Sequence, residues 1–193
     1  MRLLLALIIL CIFVCVLLMF NKNGRTYVKS DIDNELYLVV DLDDKYEAAN
    51  RLATIKKFIN VMVKELNNKK DNEYSDFKQY IERLSKNIVN VDISETPNNS
   101  NHTSYSRGKG DELVFCLRSK KMKNQFHDMN IILYVVLHEL SHIACPEKDH
   151  TPLFIKIFMF LIKVAEDIGL YKKSHFELNP KEYCGMTIST SIG

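Results

Sequence analysis

Residues 137–142 of the chain read LHELSH, and this stretch decides the fold and the chemistry that the sequence predicts. It follows the apolar residues 131–136, so the whole segment favours one largely buried helix. His138 and His142 are four positions apart, which places them on one face of that helix with Cβ atoms about 5–6 Å apart. Two imidazoles at this separation can bind one Zn²⁺ at about 2.0–2.1 Å.

Glu139 stands beside this pair and is not itself expected to bind the metal. Its carboxylate can take a proton from a water molecule on the zinc, because Zn²⁺ lowers the pKa of that water. Burying two histidines and a glutamate in an apolar helix is costly when they have no partner, and a metal ion removes that cost. The pattern therefore predicts a catalytic zinc site with His138 and His142 as ligands and Glu139 as general base.

A catalytic zinc site needs a third protein ligand and an open fourth position. His150 is the best candidate, since it follows His142 beyond Pro146, where the chain leaves the helix and can fold back. Cys145 lies on the histidine face, but roughly 7–8 Å along the helix axis from the midpoint of the two histidines. Glu166, on a following helix, is the second choice. Further candidates are Glu147, Asp149 and His175.

The segments on either side of the motif predict a mixed α+β domain. Asp128 is a candidate N-cap for the motif helix, and Thr151 followed by Pro152 is a typical start for the next one. That next helix is apolar on nearly all sides, which favours a buried core helix, since its clean apolar run is too short to span a bilayer. The predicted elements are strands at 35–42 and 111–118, helices at 45–66, 74–88, 129–144 and 152–167, and loops at 67–72 and 94–110.

The N-terminal segment predicts a membrane anchor. Residues 3–20 contain no charged residue, proline or glycine, and an apolar helix of about 18 residues can cross a bilayer. No small-residue cleavage pattern follows, so an uncleaved signal anchor over residues 1–21 is favoured over a signal peptide. We expect a linker at 22–34 and one domain at 35–193. The flanking charges lean slightly toward a cytoplasmic domain.

The composition of the chain limits its partners. The 193 residues carry 26 Lys and Arg against 24 Asp and Glu, a net charge of +2, whereas nucleic-acid-binding domains are strongly basic. No nucleic-acid partner is therefore expected. Outside the anchor the cysteines are Cys116, Cys145 and Cys184, and three such scattered residues predict no disulfide framework.

Four segments together resemble the WLM family of zinc peptidases and, more loosely, the SprT group. They are YSRGKG at 105–110, LVFCLR at 113–118, LHELSH at 137–142 and HTPLF at 150–154. The resemblance implies a small zincin-like α+β domain, an edge strand beside the active-site helix and His150 as third ligand. This chain has no glycine between His142 and His150, where relatives usually carry one. Relatives are often linked to cleaving proteins crosslinked to DNA, a role that the anchor and the balanced charge fit poorly.

Other residues are candidates for accessory roles in peptide hydrolysis. A donor to the oxyanion of the tetrahedral intermediate would aid the reaction, and Tyr183, Tyr105 and His175 are candidates. The strand at 111–118 could hold an extended peptide by β-augmentation if its edge is open. Arg118 is expected to form a structural ion pair rather than to touch substrate.

The sequence hypothesis is thus a membrane-anchored zinc metallopeptidase that acts on protein or peptide substrates. Two alternatives stay open. In the first, the metal is bound but catalytically silent, and the chain is a membrane-tethered metal-binding scaffold, which a fourth protein ligand such as Cys145 would favour. In the second, the histidines are accidental and the domain is a metal-free interaction module.

Overall fold

The computed structural model describes residues 24–108, 110–122 and 125–190. The predicted anchor at 3–20 lies outside these residues. The elements in chain order are β1 (Arg25–Lys29), β2 (Leu36–Val40), α1 (Lys45–Lys69), a 3-10 turn (Ser75–Phe77), α2 (Lys78–Asn87), β3 (Asp92–Glu95), β4 (Tyr105–Arg107), β5 (Glu112–Phe115), α3 (Met129–Ala144), α4 (Pro152–Asp167), β6 (Lys181–Tyr183) and β7 (Met186–Ile188). The predicted α+β class is confirmed.

A five-stranded mixed sheet has the order β1-β2-β3-β5-β4, and β6 and β7 form a separate antiparallel hairpin. β1 pairs antiparallel with β2, whereas β2, β3 and β5 run parallel. The predicted linker at 22–34 is therefore wrong in part, because β1 lies within it and Val28 pairs with Tyr37. Its sequence, RTYVK, alternates too weakly to predict a strand, and β1 is defined by its pairing with β2.

The predicted loop at 94–110 also contains strand. β3 ends within it, and β4 pairs antiparallel with β5 through Tyr105↔Val114 and Arg107↔Glu112. The strand predicted at 111–118 is the shorter β5, which lies between β3 and β4. β5 has no open edge, so β-augmentation on it is ruled out. β4 is the edge strand on this side of the sheet, and it lies next to α3.

Helices α3 and α4 have their predicted bounds and caps, whereas α1 continues to Lys69, into the predicted loop at 67–72, and α2 begins at Lys78 after the 3-10 turn. The Asp128 side chain accepts a hydrogen bond from the Asn130 N–H at 2.8 Å, and the Thr151 hydroxyl accepts one from the Phe154 N–H at 3.3 Å. These caps satisfy backbone donors that the first turn of each helix leaves free. α3 packs against both α2 and α4, and α1 packs on the sheet. The motif helix is thus held between two helices in the core.

Helix α4 is a core helix, as predicted, since Phe154, Phe158 and Leu161 are almost completely buried. In the described parts of the chain, no helix combines the length and the apolarity that a bilayer crossing requires.

The sequence predicted no disulfide framework, but two of the three cysteines outside the predicted anchor are bonded to each other. Cys116, directly after β5, is bonded to Cys184 in the turn of the β6–β7 hairpin, across 68 positions of sequence. Sequence spacing could not reveal this pair, because the two residues meet only when the hairpin docks on the sheet. Cys145 is free and buried.

The prediction for Arg118 is confirmed, since its guanidinium forms ion pairs with Glu95 and Asp44.

Candidate metal centre

Three imidazole rings converge at the C-terminal half of α3. His138 Nε2 lies 3.1 Å from His142 Nε2 and 3.1 Å from His150 Nε2. The nitrogen atoms that the three residues offer all lie within 4.8 Å of one another. Ligands at about 2.0–2.1 Å in a tetrahedral arrangement are separated by about 3.3 Å, so the cluster fits a single zinc ion.

The connection between α3 and α4 brings His150 back to the helix. Cys145 ends α3 with an extended backbone, φ −75° and ψ 129°. Asp149 then adopts a left-handed conformation, φ +64°, immediately before His150. Glycine most readily adopts that conformation, and aspartate is one of the few other residues that tolerate it. The chain thus makes the return turn without the glycine that the family resemblance leads one to expect.

The rings of two phenylalanines in α4 pack against the three histidines. The Phe154 ring centroid lies 4.3 Å from that of His142 and 4.9 Å from that of His150, and Phe158 lies 5.3 Å from His138. Burial lowers the pKa of His138 to about 3, with a smaller contribution from His142 and His150. Burial also lowers the pKa of His142. Both rings are therefore neutral near pH 7, which is the form that binds a metal.

Glu139 follows His138 in α3 and lies next to Ser106 of β4. Its carboxylate accepts hydrogen bonds from the backbone N–H and the side-chain hydroxyl of Ser106. Burial raises the pKa of Glu139 to about 7, against the opposing effect of these hydrogen bonds. Glu139 is only 6% exposed. Its contact with Ser106 of β4 therefore restricts the position of its carboxylate.

The other predicted ligands lie elsewhere. Glu166 lines a groove on the outer face of α4, with Ile155 and Met159. His175 is exposed and pairs with Glu177 at 3.1 Å. In the described parts of the chain, no further His, Cys, Asp or Glu joins the three histidines in a ligand cluster. Cys145 in particular does not close the site.

A cleft of about 430 Å³ opens beside the histidines and Glu139. Ser104 and Tyr183, which are 79 positions apart in sequence, both line it, and their hydroxyl oxygens lie 2.6 Å apart. The cleft has an apolar side as well as this polar one. Its further lining residues include Thr103, Tyr134, Val135, Phe158, Met186, Thr187 and Ile188.

Sequence reasoning missed Ser104 and Ser106, which contact Tyr183 and Glu139. Both lie in a stretch rich in serine, asparagine and glycine that reads as a loop. The only available signal was the resemblance of residues 105–110 to the WLM family, which does not assign a role to either serine.

The fold and the side chains define an α+β protein with a three-histidine cluster and a buried glutamate. Over 172 residues the chain is 44% identical to uncharacterized protein R325 of Acanthamoeba polyphaga mimivirus, covering 89% of the chain and 86% of that protein. The chain belongs to the same family as this mimivirus protein. Uncharacterized protein 136R of Invertebrate iridescent virus 6 is 36% identical over 76 residues, covering 38% of the chain and 40% of that protein.

No protein-family model matches the chain. Among solved structures, the crystal structure of Wss1 from Saccharomyces cerevisiae is similar, with a TM-score of 0.49 and 23% sequence identity, covering 68% of this chain and 90% of that one. A mutant of Wss1 gives a TM-score of 0.49 at 22% identity. These values are too low to bear on activity.

Proposed function

We propose that the chain is a zinc metallopeptidase, held at a membrane by residues 3–20, that hydrolyses peptide bonds in protein or peptide substrates. The observation that carries the proposal is the convergence of His138, His142 and His150 within hydrogen-bond distance, beside the buried carboxylate of Glu139. Three histidine ligands with one open position are typical of catalytic zinc. The resemblance of residues 137–142 and 150–154 to WLM peptidases supports the same reading.

Each residue has a distinct part in the proposed reaction. The three histidines would hold a zinc ion, which would supply the Lewis acidity needed to polarise a carbonyl and to lower the pKa of a water molecule. Glu139 accepts the proton of the attacking water and later delivers it to the leaving amine. The hydrogen bonds from Ser106 keep the carboxylate in place between these two transfers.

The neighbouring elements suit an extended polypeptide. β4 is the edge of the sheet next to α3, so its outer backbone groups can pair with a substrate strand. The cleft beside His138 has apolar walls from Tyr134, Val135 and Phe158, which can take a substrate side chain. These features favour a peptide over a charged small molecule or a nucleic acid as substrate.

The test is Glu139→Gln, which removes the base but keeps the shape and polarity of the side chain. We expect turnover of an unstructured protein such as casein to fall by about 100-fold or more, because a positioned base contributes about 10²–10⁴. The zinc content, measured by atomic emission, stays unchanged because Glu139 is not a ligand. Glu166→Gln is the matched control and changes neither quantity.

Two outcomes would contradict parts of this assignment. Loss of zinc in Glu139→Gln would show that the glutamate is a ligand and not the base. A parent protein that binds zinc but cleaves no protein or peptide would leave the silent metal-binding scaffold as the better reading.

A further inference from the structure

Tyr183 lines the cleft that contains His138, Glu139 and His150. Tyr183 is 3% exposed, and its ring packs against His127 with a centroid separation of 4.8 Å. No part of the metal site as proposed so far uses this side chain. Buried polar groups normally have a hydrogen-bond partner, so the partners of this phenol bear on what its proton can do.

Ser104 and the backbone of Cys116 surround the phenol oxygen. Ser104 Oγ lies 2.6 Å from the Tyr183 hydroxyl, and either oxygen can be the donor. The Cys116 N–H donates to Ser104 Oγ at 3.1 Å, which uses one acceptor position of the serine. When Ser104 donates to the phenol, the phenolic proton is free to point into the cleft.

The phenol also keeps its proton at all physiological pH values. Burial is the main cause that raises the pKa of Tyr183, and the charge of Glu139 raises it further, although Ser104 and Cys116 act in the opposite direction. Tyr183 and Glu139 line the same cleft, beside His138 and His150. Tyr183 is therefore a neutral hydrogen-bond donor next to the reacting groups.

We propose that Tyr183 is a catalytic residue that donates a hydrogen bond to the oxyanion formed from the substrate carbonyl, an inference that rests on the proposed function. As the water oxygen bonds to the carbonyl carbon, the carbonyl π electrons move to its oxygen, and Glu139 takes the water proton. Tyr183 keeps its proton throughout and stabilises the negative oxygen. When the carbon–nitrogen bond breaks, the proton on Glu139 passes to the amine.

The β6–β7 hairpin holds the donor in place before substrate arrives. Cys184, the next residue, is bonded to Cys116, and its N–H donates to His127 Nε2 at 3.0 Å. A donor that is already oriented needs no rearrangement during the reaction, and such pre-organisation is the main source of oxyanion stabilisation. Of the other two candidates, neither Tyr105 nor His175 lines this cleft.

The experiment uses the full-length, zinc-loaded chain in detergent micelles and the variant Tyr183→Phe, which keeps the ring. Two zinc-binding probes are titrated by calorimetry. One is a phosphinic peptide, which mimics the tetrahedral oxyanion, and the other is acetohydroxamate, whose metal-binding group is planar. We expect phosphinate affinity to fall about 10- to 100-fold and casein turnover about 100-fold, in line with the loss of one oxyanion donor. Zinc content and acetohydroxamate affinity stay within twofold of the parent values.

The matched control is Tyr171→Phe, which alters a buried tyrosine outside the cleft. It leaves phosphinate affinity, casein turnover, zinc content and acetohydroxamate affinity unchanged.

A second variant, Ser104→Ala, removes the partner of the phenol without substituting a residue of the hairpin and is expected to weaken phosphinate binding several-fold. Unchanged phosphinate affinity in both variants overturns the role of Tyr183, even if the parent cleaves casein normally. A parent that holds zinc but neither binds phosphinate nor cleaves casein overturns the proposed function, and the role of Tyr183 with it.

Discussion

Removing the Cys116–Cys184 disulfide should destabilise the domain strongly. The bond closes a loop of 68 residues. In the chain-entropy description, such a link removes about 15 cal/mol/K from the unfolded state, or about 4.4 kcal/mol at 25 °C. We expect the double variant Cys116→Ser/Cys184→Ser to lose most of this amount, which is a large part of the about 5–15 kcal/mol that stabilises a typical domain.

The assay is urea denaturation of parent and double variant, followed by circular dichroism. The parent treated with a reducing agent is the matched control and should behave like the variant. Amide hydrogen exchange gives a local readout, because the bond holds the hairpin β6–β7 on the sheet, and residues 181–188 should lose protection first. A loss of less than about 1 kcal/mol, with unchanged exchange in the hairpin, would refute the reasoning.

Three further predictions concern the site and the core. His150→Ala and His142→Ala should weaken zinc binding to a similar degree in competition with a chelating dye, and an unchanged affinity in His150→Ala would move the third ligand elsewhere. Arg118→Met leaves the buried carboxylate of Glu95 without its ion pair, so the free energy of unfolding should fall by about 3–5 kcal/mol, and a loss below about 1 kcal/mol would contradict a buried pair. Leu140→Ala opens a cavity at a fully buried position of α3, which should cost about 2–5 kcal/mol in urea denaturation, and a near-neutral result would place Leu140 outside the core.

The helices were predictable because their signals are local. α3 and α4 contain long apolar segments, and Asp128 and Thr151 mark their first turns through their side chains. The spacing of four residues on a helix placed His138 and His142 on one face. The convergence of His150 depends on the left-handed backbone of Asp149, which a sequence pattern suggests only weakly.

The sheet was harder to predict because short polar strands acquire their structure from their neighbours. β1 and β4 occupy the two edges of the described sheet, and neither has enough alternation to stand out from a loop. Ser106 contacts Glu139 only because β4 lies next to α3, and no local sequence signal predicts that arrangement. The Cys116–Cys184 pair depends in the same way on tertiary docking of the hairpin.

The most direct test of the central claim is the zinc content of the chain, purified without chelator, beside its His142→Ala variant. The geometry of His138, His142 and His150 predicts one zinc per chain in the parent and essentially none in the variant. No zinc in the parent, after incubation with a stoichiometric amount of the metal, would contradict the metal centre and the peptidase activity proposed from it.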